Sequence, residues 1–599
     1  MSSPHHRQRI WPFLVRRMMI GATWFAASML CPFAAIASGD AKPASASDGV
    51  YSLTLIPQMA TSSTVAVEKI GLDIHIDHAD VGRGARVFWM PLHIDNLDSV
   101  ANLLPALIAS DGQGSVPLKS RDITDTSGDA IREWYAERPL SSPYTVHYEV
   151  PATVPAAVRG PAPPYELNNN GGGTSAAGMA FLLRPQGTRK YRFDVQWDLS
   201  KLPPGSKGVS SFGEGKSSSI EPLNVTDMMN TYFMAGALTT WPERAKPGGF
   251  FAATQGKPPF DPVPVMSWTG TMYKHYEAFF NTGQGQSYGV FLRYNAVNSG
   301  GGVGLRRAFV TTYGEGFGAD PMNVKFTLAH EMFHTFSPYL ESPVDGLMDW
   351  FGEGEAQLYM HKLPLRYGLV TPDEFLHDLN FFIGRYYTNA LVGLPNDQVP
   401  EKFWLDTRIR TLPYDGGMLY LAGVDAQLRR KSEGQVSLDT LILKLKKDAD
   451  AGKVLGQADW EALLREHLGS EAVADFHAYL GGKAPLPPSN AFGPCFSRTT
   501  VKLRRYELGF DPAVLTEPGR IVHGVLAGSA ASQAGLRDGD EIVRPIPQDF
   551  IQGDQKALLH ILIRRHGQQQ TISYLPRGEL VGAYQWERVK GVSDTQCAY

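Results

Sequence analysis

The sequence predicts an α+β multidomain protein. An all-β domain is expected over residues 50–205, a mostly helical domain over 206–490 and a small mixed domain over 491–599. Three observations carry this reading. Alternation of apolar and polar residues marks the first block, helix-start signals accumulate through the second, and a Gly/Pro cluster interrupts the chain near residue 490. A length of 599 residues suits about three to five domains. Apolar residues make up 43% and charged residues 19%, an ordinary composition for chains that bury cores. The formal net charge of -4 gives no electrostatic case for nucleic acid or an anionic membrane as partner.

Residues 1–37 read as an export signal. Arg7, Arg9, Arg16 and Arg17 make a basic start, Met18 to Ala37 is apolar, and Ala35-Ile36-Ala37 offers a small-x-small cleavage site. An uncleaved anchor is the alternative, because the apolar run is nearly long enough to span a bilayer. The Gly/Ala/Ser/Pro-rich stretch that follows favours cleavage, and residues 38–49 read as a linker. The expectation is a periplasmic or secreted protein with no stable membrane span once the signal is removed.

Strands are expected at Leu72–Asp77, Tyr144–Val150 and Tyr191–Trp197, where apolar and polar residues alternate between Gly, Pro and Asn clusters. Residues 161–173, rich in Asn and Gly, read as a loop. In the middle block, Tyr288–Tyr294 is strand-like and precedes a Gly-rich stretch, Gly300 to Gly304. Helices follow. Thr371-Pro372-Asp373-Glu374 supplies a cap, a first-position proline and first-turn acids. Further helices are expected from Ser437 through Lys447, over Trp460–Leu468 and over Ala472–Leu480. Of the cysteines, Cys31 lies in the signal, which leaves Cys495 and Cys597. An even pair in an exported protein points to a disulfide, with two free thiols as the alternative.

The chemistry-bearing stretch is His330-Glu331-Met332-Phe333-His334. On a helix, residues four apart share a face, so both imidazoles can reach one ion. Imidazole is a good neutral ligand for Zn²⁺, and Glu331 can serve as base beside it. Eighteen residues separate His334 from Glu353, which sits in Trp350-Phe351-Gly352-Glu353-Gly354. Two histidines and a carboxylate would leave the fourth position of a catalytic zinc site open. Asp349 and Glu355 are the rival carboxylates nearby.

That spacing is the signature of gluzincins, and the chain resembles their glycyl-aminopeptidase family over nearly its whole mature length. Trp350 to Tyr359 resembles the family's W-F-x-E-G-x-x-x-x-Y segment, and Pro413-Tyr414-Asp415-Gly416-Gly417 its relatives' P-Y-x-K-G segment. Ser437-Leu438-Asp439 is also similar. Gly524 to Val543 resembles the most recognisable stretch of a PDZ domain, and Leu508-Gly509-Phe510 its carboxylate-binding loop. The resemblance implies a thermolysin-like catalytic domain, zinc on His330, His334 and Glu353, peptide substrates, and a PDZ-like domain able to take a peptide C-terminus. It implies that Tyr414 hydrogen-bonds the oxyanion, the alternative being an ordinary core tyrosine. It places Gly304 and Arg306 at the substrate-binding strand, where the family carries G-L-E-H and this chain carries Gly304-Leu305-Arg306-Arg307. An arginine there would repel a substrate ammonium. Aminopeptidase activity is therefore expected alongside two alternatives: an endopeptidase, or an inactive envelope protein that binds peptides.

Overall fold

The computed structural model describes residues 48–598, apart from 61–65, 95–96, 105, 126–127, 154–163, 244–247, 283–286, 297–298, 518, 545 and 547–548. The expected signal and all of the expected linker before residue 48 lie outside the described residues; the first strand begins at Gly49. Among the described residues, no helix is long and apolar enough to cross a membrane.

The N-terminal part is built on a ten-stranded sheet. Gly49–Met59 pairs antiparallel with Val67–Asp77 and parallel with Tyr191–Trp197, and Val67–Asp77 continues antiparallel to Tyr144–Pro151. Alternation explains the arrangement. Tyr51, Leu53 and Leu55 point into one core with Leu72, Ile74 and Ile76 from the next strand. Where the Asn and Gly runs predicted a loop, the chain instead forms a hairpin, Asn168–Asn170 with Gly173–Ala177. Gly171 and Gly172 supply its turn at φ +56 and +80. Pairing of Gly173–Ala177 with Tyr232–Gly236 overrides the local turn preference.

The hairpin belongs to one five-stranded sheet, and another five-stranded sheet leads to the site. Phe250–Gln255, Tyr288–Tyr294 and Ala308–Tyr313 run parallel, and Gly302–Leu305 lies antiparallel at its outer edge. The Gly-rich stretch thus ends in a strand. Gly302 is required there, since a Cβ would come within 2.2 Å of the Phe309 ring.

The helical part begins with Pro262–Phe280 and Pro321–Phe336. Pro372–Tyr387 carries the capping box of Thr371 and Glu374 at its start. The later helices run Leu438–Asp450, Gln457–His467 and Ser470–Leu480. The C-terminal block pairs Phe496–Tyr506 with Arg577–Arg588 and adds a three-stranded sheet that includes Leu559–Arg565 and Gln568–Tyr574. It has a small core of its own around Phe510, Val522 and Ile561. Cys495 and Cys597 are joined by a disulfide, and both sit in the main helical core. The bond closes a loop of about a hundred residues, for which chain entropy alone would contribute roughly 4–5 kcal/mol.

Candidate metal centre and active site

The motif helix, Pro321–Phe336, starts where Asp320 accepts a hydrogen bond from the Met322 amide and Pro321 takes the first position. One face buries Phe326, Ala329, Phe333 and Phe336. Tyr276, from Pro262–Phe280, donates its hydroxyl to the Ala329 carbonyl at 2.9 Å. That face therefore anchors the helix, and His330 and His334, four residues apart, lie together next to it.

The second carboxylate-bearing helix, Asp349–Arg366, brings Glu353 to them. Glu353 Oε2 lies 3.1 Å from His330 Nε2 and 3.2 Å from His334 Nε2, and the two nitrogens are 3.2 Å apart. A tetrahedral zinc site with bonds of about 2.0–2.1 Å has donors about 3.3 Å apart, so the spacing fits. Two imidazole nitrogens and a carboxylate converging on one point are also a donor set suited to a zinc ion. Among the described residues, His330, His334 and Glu353 form the one group able to hold a metal ion. The rival carboxylates sit elsewhere. Glu355 is wholly buried, and burial pushes its carboxyl well up. Asp349 is buried in the first turn of the helix, with its carboxylate toward Gly346.

Glu331 is half-buried on the same helix. Burial pushes the neighbouring Tyr288 phenol up, Thr335 opposes this by hydrogen bonding, and the Glu331 carboxylate adds to the rise. Glu331 therefore lies near Tyr288, the first residue of the central strand of the five-stranded sheet. Tyr414, in the first turn of Leu412–Lys431, stacks on His330 with ring centroids 5.8 Å apart and planes 17° from parallel. Tyr414 thus stands against His330, and Glu331 follows His330 on the same helix.

A feature not read from the sequence fixes how the last two helices meet. Asp349–Arg366 and Leu412–Lys431 touch backbone to backbone at Gly354 and Gly417. A Cβ on Gly417 would fall 2.1 Å from the Trp350 carbonyl oxygen, and one on Gly354 would fall 2.6 Å from the Gly417 Cα. This close approach fixes the spacing between the helix that carries Glu353 and the helix that carries Tyr414. Gly417→Ala should therefore destabilise the protein by about 1–3 kcal/mol, the usual range for overpacking, and weaken metal binding with it. Denaturant unfolding and zinc titration would reveal the change; unaltered stability would refute the contact's importance.

The other half of Asp349–Arg366 is locked by buried charges. Lys362 contacts Asp425 at 3.0 Å and Asp439 at 3.1 Å, Arg366 contacts Asp439 at 2.8 Å, and Tyr359 donates to Asp439 at 2.7 Å. Burial opposes the Asp439 charge, but Lys362 and Arg366 hold its carboxyl down at about 2. Tyr359 also stacks on Phe333 of the motif helix, centroids 4.8 Å apart. The Tyr359 and Asp439 positions noted in the sequence therefore brace the ligand helices against each other.

Gly304 lies on the outermost strand with open space beside it. Arg306 follows in the turn, where its guanidinium reaches Glu221 at 2.8 Å and Asp227 at 3.5 Å. Its charge is thus met by two acids of the N-terminal part, a pairing between segments about eighty residues apart that local pattern does not reveal.

No protein-family model matches the sequence, and no curated protein is similar to it. Solved structures are similar in fold. An aminopeptidase N family protein from Idiomarina loihiensis aligns over 90% of this chain and 98% of its own, with TM-score 0.57 and 16% identity. An M1 zinc metallopeptidase from Deinococcus radiodurans aligns over 74% of this chain and 96% of its own, with TM-score 0.42 and 15% identity. Yeast LTA4 hydrolase aligns over 74% and 69%, with TM-score 0.41 and 12% identity. Identity this low speaks to architecture and leaves chemistry to the site. Over nine-tenths of its length, the chain has the fold of the Idiomarina loihiensis aminopeptidase N family protein.

Proposed function

We propose that the chain is a zinc metallopeptidase of gluzincin type that acts as an aminopeptidase. The observation that carries this is the convergence of His330, His334 and Glu353 at zinc-like spacing, with Glu331 beside them. Zinc held there supplies Lewis-acid polarisation of the scissile carbonyl and makes a water easier to deprotonate. Glu331 takes the proton from the attacking water and delivers it to the leaving amine. Tyr414, beside His330, donates a hydrogen bond to the oxygen that gains charge in the transition state. The open edge of Gly302–Leu305 receives the substrate backbone as an added strand. A structural metal site needs no Glu331, which counts against an inactive binding protein.

Tyr414→Phe should retain zinc and lower kcat by ~10²-fold, the loss typical of one oxyanion donor. Steady-state kinetics with zinc analysis checks this; near-normal kcat would return Tyr414 to a packing role.

The choice between exopeptidase and endopeptidase turns on Arg306. Its pairing with Glu221 and Asp227 offsets the repulsion of a substrate ammonium and favours the aminopeptidase reading. Peptides with free amino termini should be cleaved faster than acetylated ones. Arg306→Gln should widen the gap by roughly several-fold, because it frees two carboxylates near that end. Faster turnover of acetylated peptides by the wild type would establish the endopeptidase instead.

We further place the protein in the periplasm or outside the cell. The Cys495–Cys597 disulfide supports an oxidising compartment. The C-terminal block is proposed to be a PDZ-like module. Gly509 turns at φ +87 against Ala531, in support of a loop whose backbone could receive a peptide carboxylate.

A further inference from the structure

The C-terminal block does more than hang from the helical part. Its short helix Asp549–Gly553 is pressed onto Pro372–Tyr387: Phe550 stacks on Phe381 with centroids 5.5 Å apart, and Gly553 lies so close that a Cβ would be 2.5 Å from the Phe381 ring. Asp549 reaches further. Both its carboxylate oxygens accept from Arg410 Nη2 at 2.7 Å, and one also accepts from the Thr407 hydroxyl. Gln552 donates to the same hydroxyl oxygen at 3.1 Å. Thr407–Arg410 is the helical turn that leads, through Thr411, into Leu412–Lys431. Tyr414 is the third residue of that helix.

The opposite side of the same turn is clamped as well. Asp415, next to Tyr414 and buried, accepts from Arg385 Nε and Nη2 at 2.7 Å each. Arg385 in turn donates to the Asp549 backbone carbonyl at 3.4 Å. The segment that presents Tyr414 to His330 is therefore held between Arg385 and the C-terminal block, and Asp549 contacts both parts of the clamp. The Cys495–Cys597 bond fastens the two ends of that block to the helical core.

We infer that the C-terminal domain belongs to the catalytic apparatus, with Asp549 a positioning residue that sets Tyr414 beside the metal centre through Thr407, Arg410 and Arg385. This rests on the reading of Tyr414 as the oxyanion donor. Asp549 is half-exposed, so its pairing adds little to stability, while a misplacement of Tyr414 by a fraction of an ångström acts directly on the transition state.

The test uses full-length, zinc-loaded protein and a peptide substrate. Asp549→Asn should lower kcat roughly tenfold and leave KM, zinc content and melting temperature nearly unchanged. In a Tyr414→Phe background the same change should have no further effect, because the group it positions is gone. Thr407→Ala and Arg410→Lys provide parallel arms should Asp549→Asn fold poorly, and the same dependence on Tyr414 is expected of them. Equal losses in both backgrounds, or no loss in the wild-type background for any of the three, would overturn the proposal while Tyr414 kept its role. A full-rate Tyr414→Phe enzyme, or a wild type that hydrolyses no peptide, would overturn the underlying reading and the proposal with it.

Discussion

His330→Ala is expected to empty the metal site. Purified wild type should carry about one zinc ion per chain, and the variant close to none. His330 is almost fully buried and its Nε2 stands 3.1 Å from Glu353 and 3.2 Å from His334. Removing it leaves a carboxylate and one imidazole, too few donors to hold zinc against buffer and chelators. The buried Glu353 carboxyl would also lose one of its partners, so melting temperature should fall slightly. His334→Ala should lose metal as well. Activity should drop to background in both, a larger effect than any other substitution considered. Elemental analysis reads the first effect and a peptide assay the second. Full zinc in both variants would place the metal elsewhere.

Glu331→Gln should separate chemistry from binding. The amide matches the carboxylate in size and keeps its polarity, but it cannot accept a proton from water. Glu331 is not among the three convergent donors, so zinc content should stay near one per chain. Activity should fall by ~10²–10⁴-fold, the range for loss of a general base. The folded state should be intact by melting temperature, because Glu331 is only half-buried. A variant that hydrolyses peptides at close to the wild-type rate would remove Glu331 from the mechanism.

How far the sequence carried depended on whether a signal was local. His330 and His334 share a helix, so their spacing alone put them on one face. Glu353 came from spacing along the chain, and the structure distinguishes it from Asp349 and Glu355 because each of those side chains lies in different surroundings. The strands Tyr191–Trp197 and Tyr288–Tyr294 were legible from residue pattern and stand where expected. The Asn168–Ala177 hairpin was not, since its asparagines and glycines encode the turn while its pairing comes from Tyr232–Gly236. Likewise, neither glycine at the Gly354–Gly417 contact announces a partner more than sixty residues away. The ion pairs of Arg306 and of Asp549 also join distant segments, and they change what the nearby motifs mean. Arg306 alone suggests repulsion of an ammonium, whereas Arg306 with Glu221 and Asp227 does not.

The most direct test of the central claim is a peptide hydrolysis assay on the purified protein through one cycle of metal removal and return. The wild type should cleave an unblocked peptide, lose that activity when a chelator strips the zinc, and regain it when zinc is added back at about one equivalent. Hydrolysis that persists in metal-free protein, or an intact zinc-loaded protein that cleaves neither free nor acetylated peptides, would contradict the account.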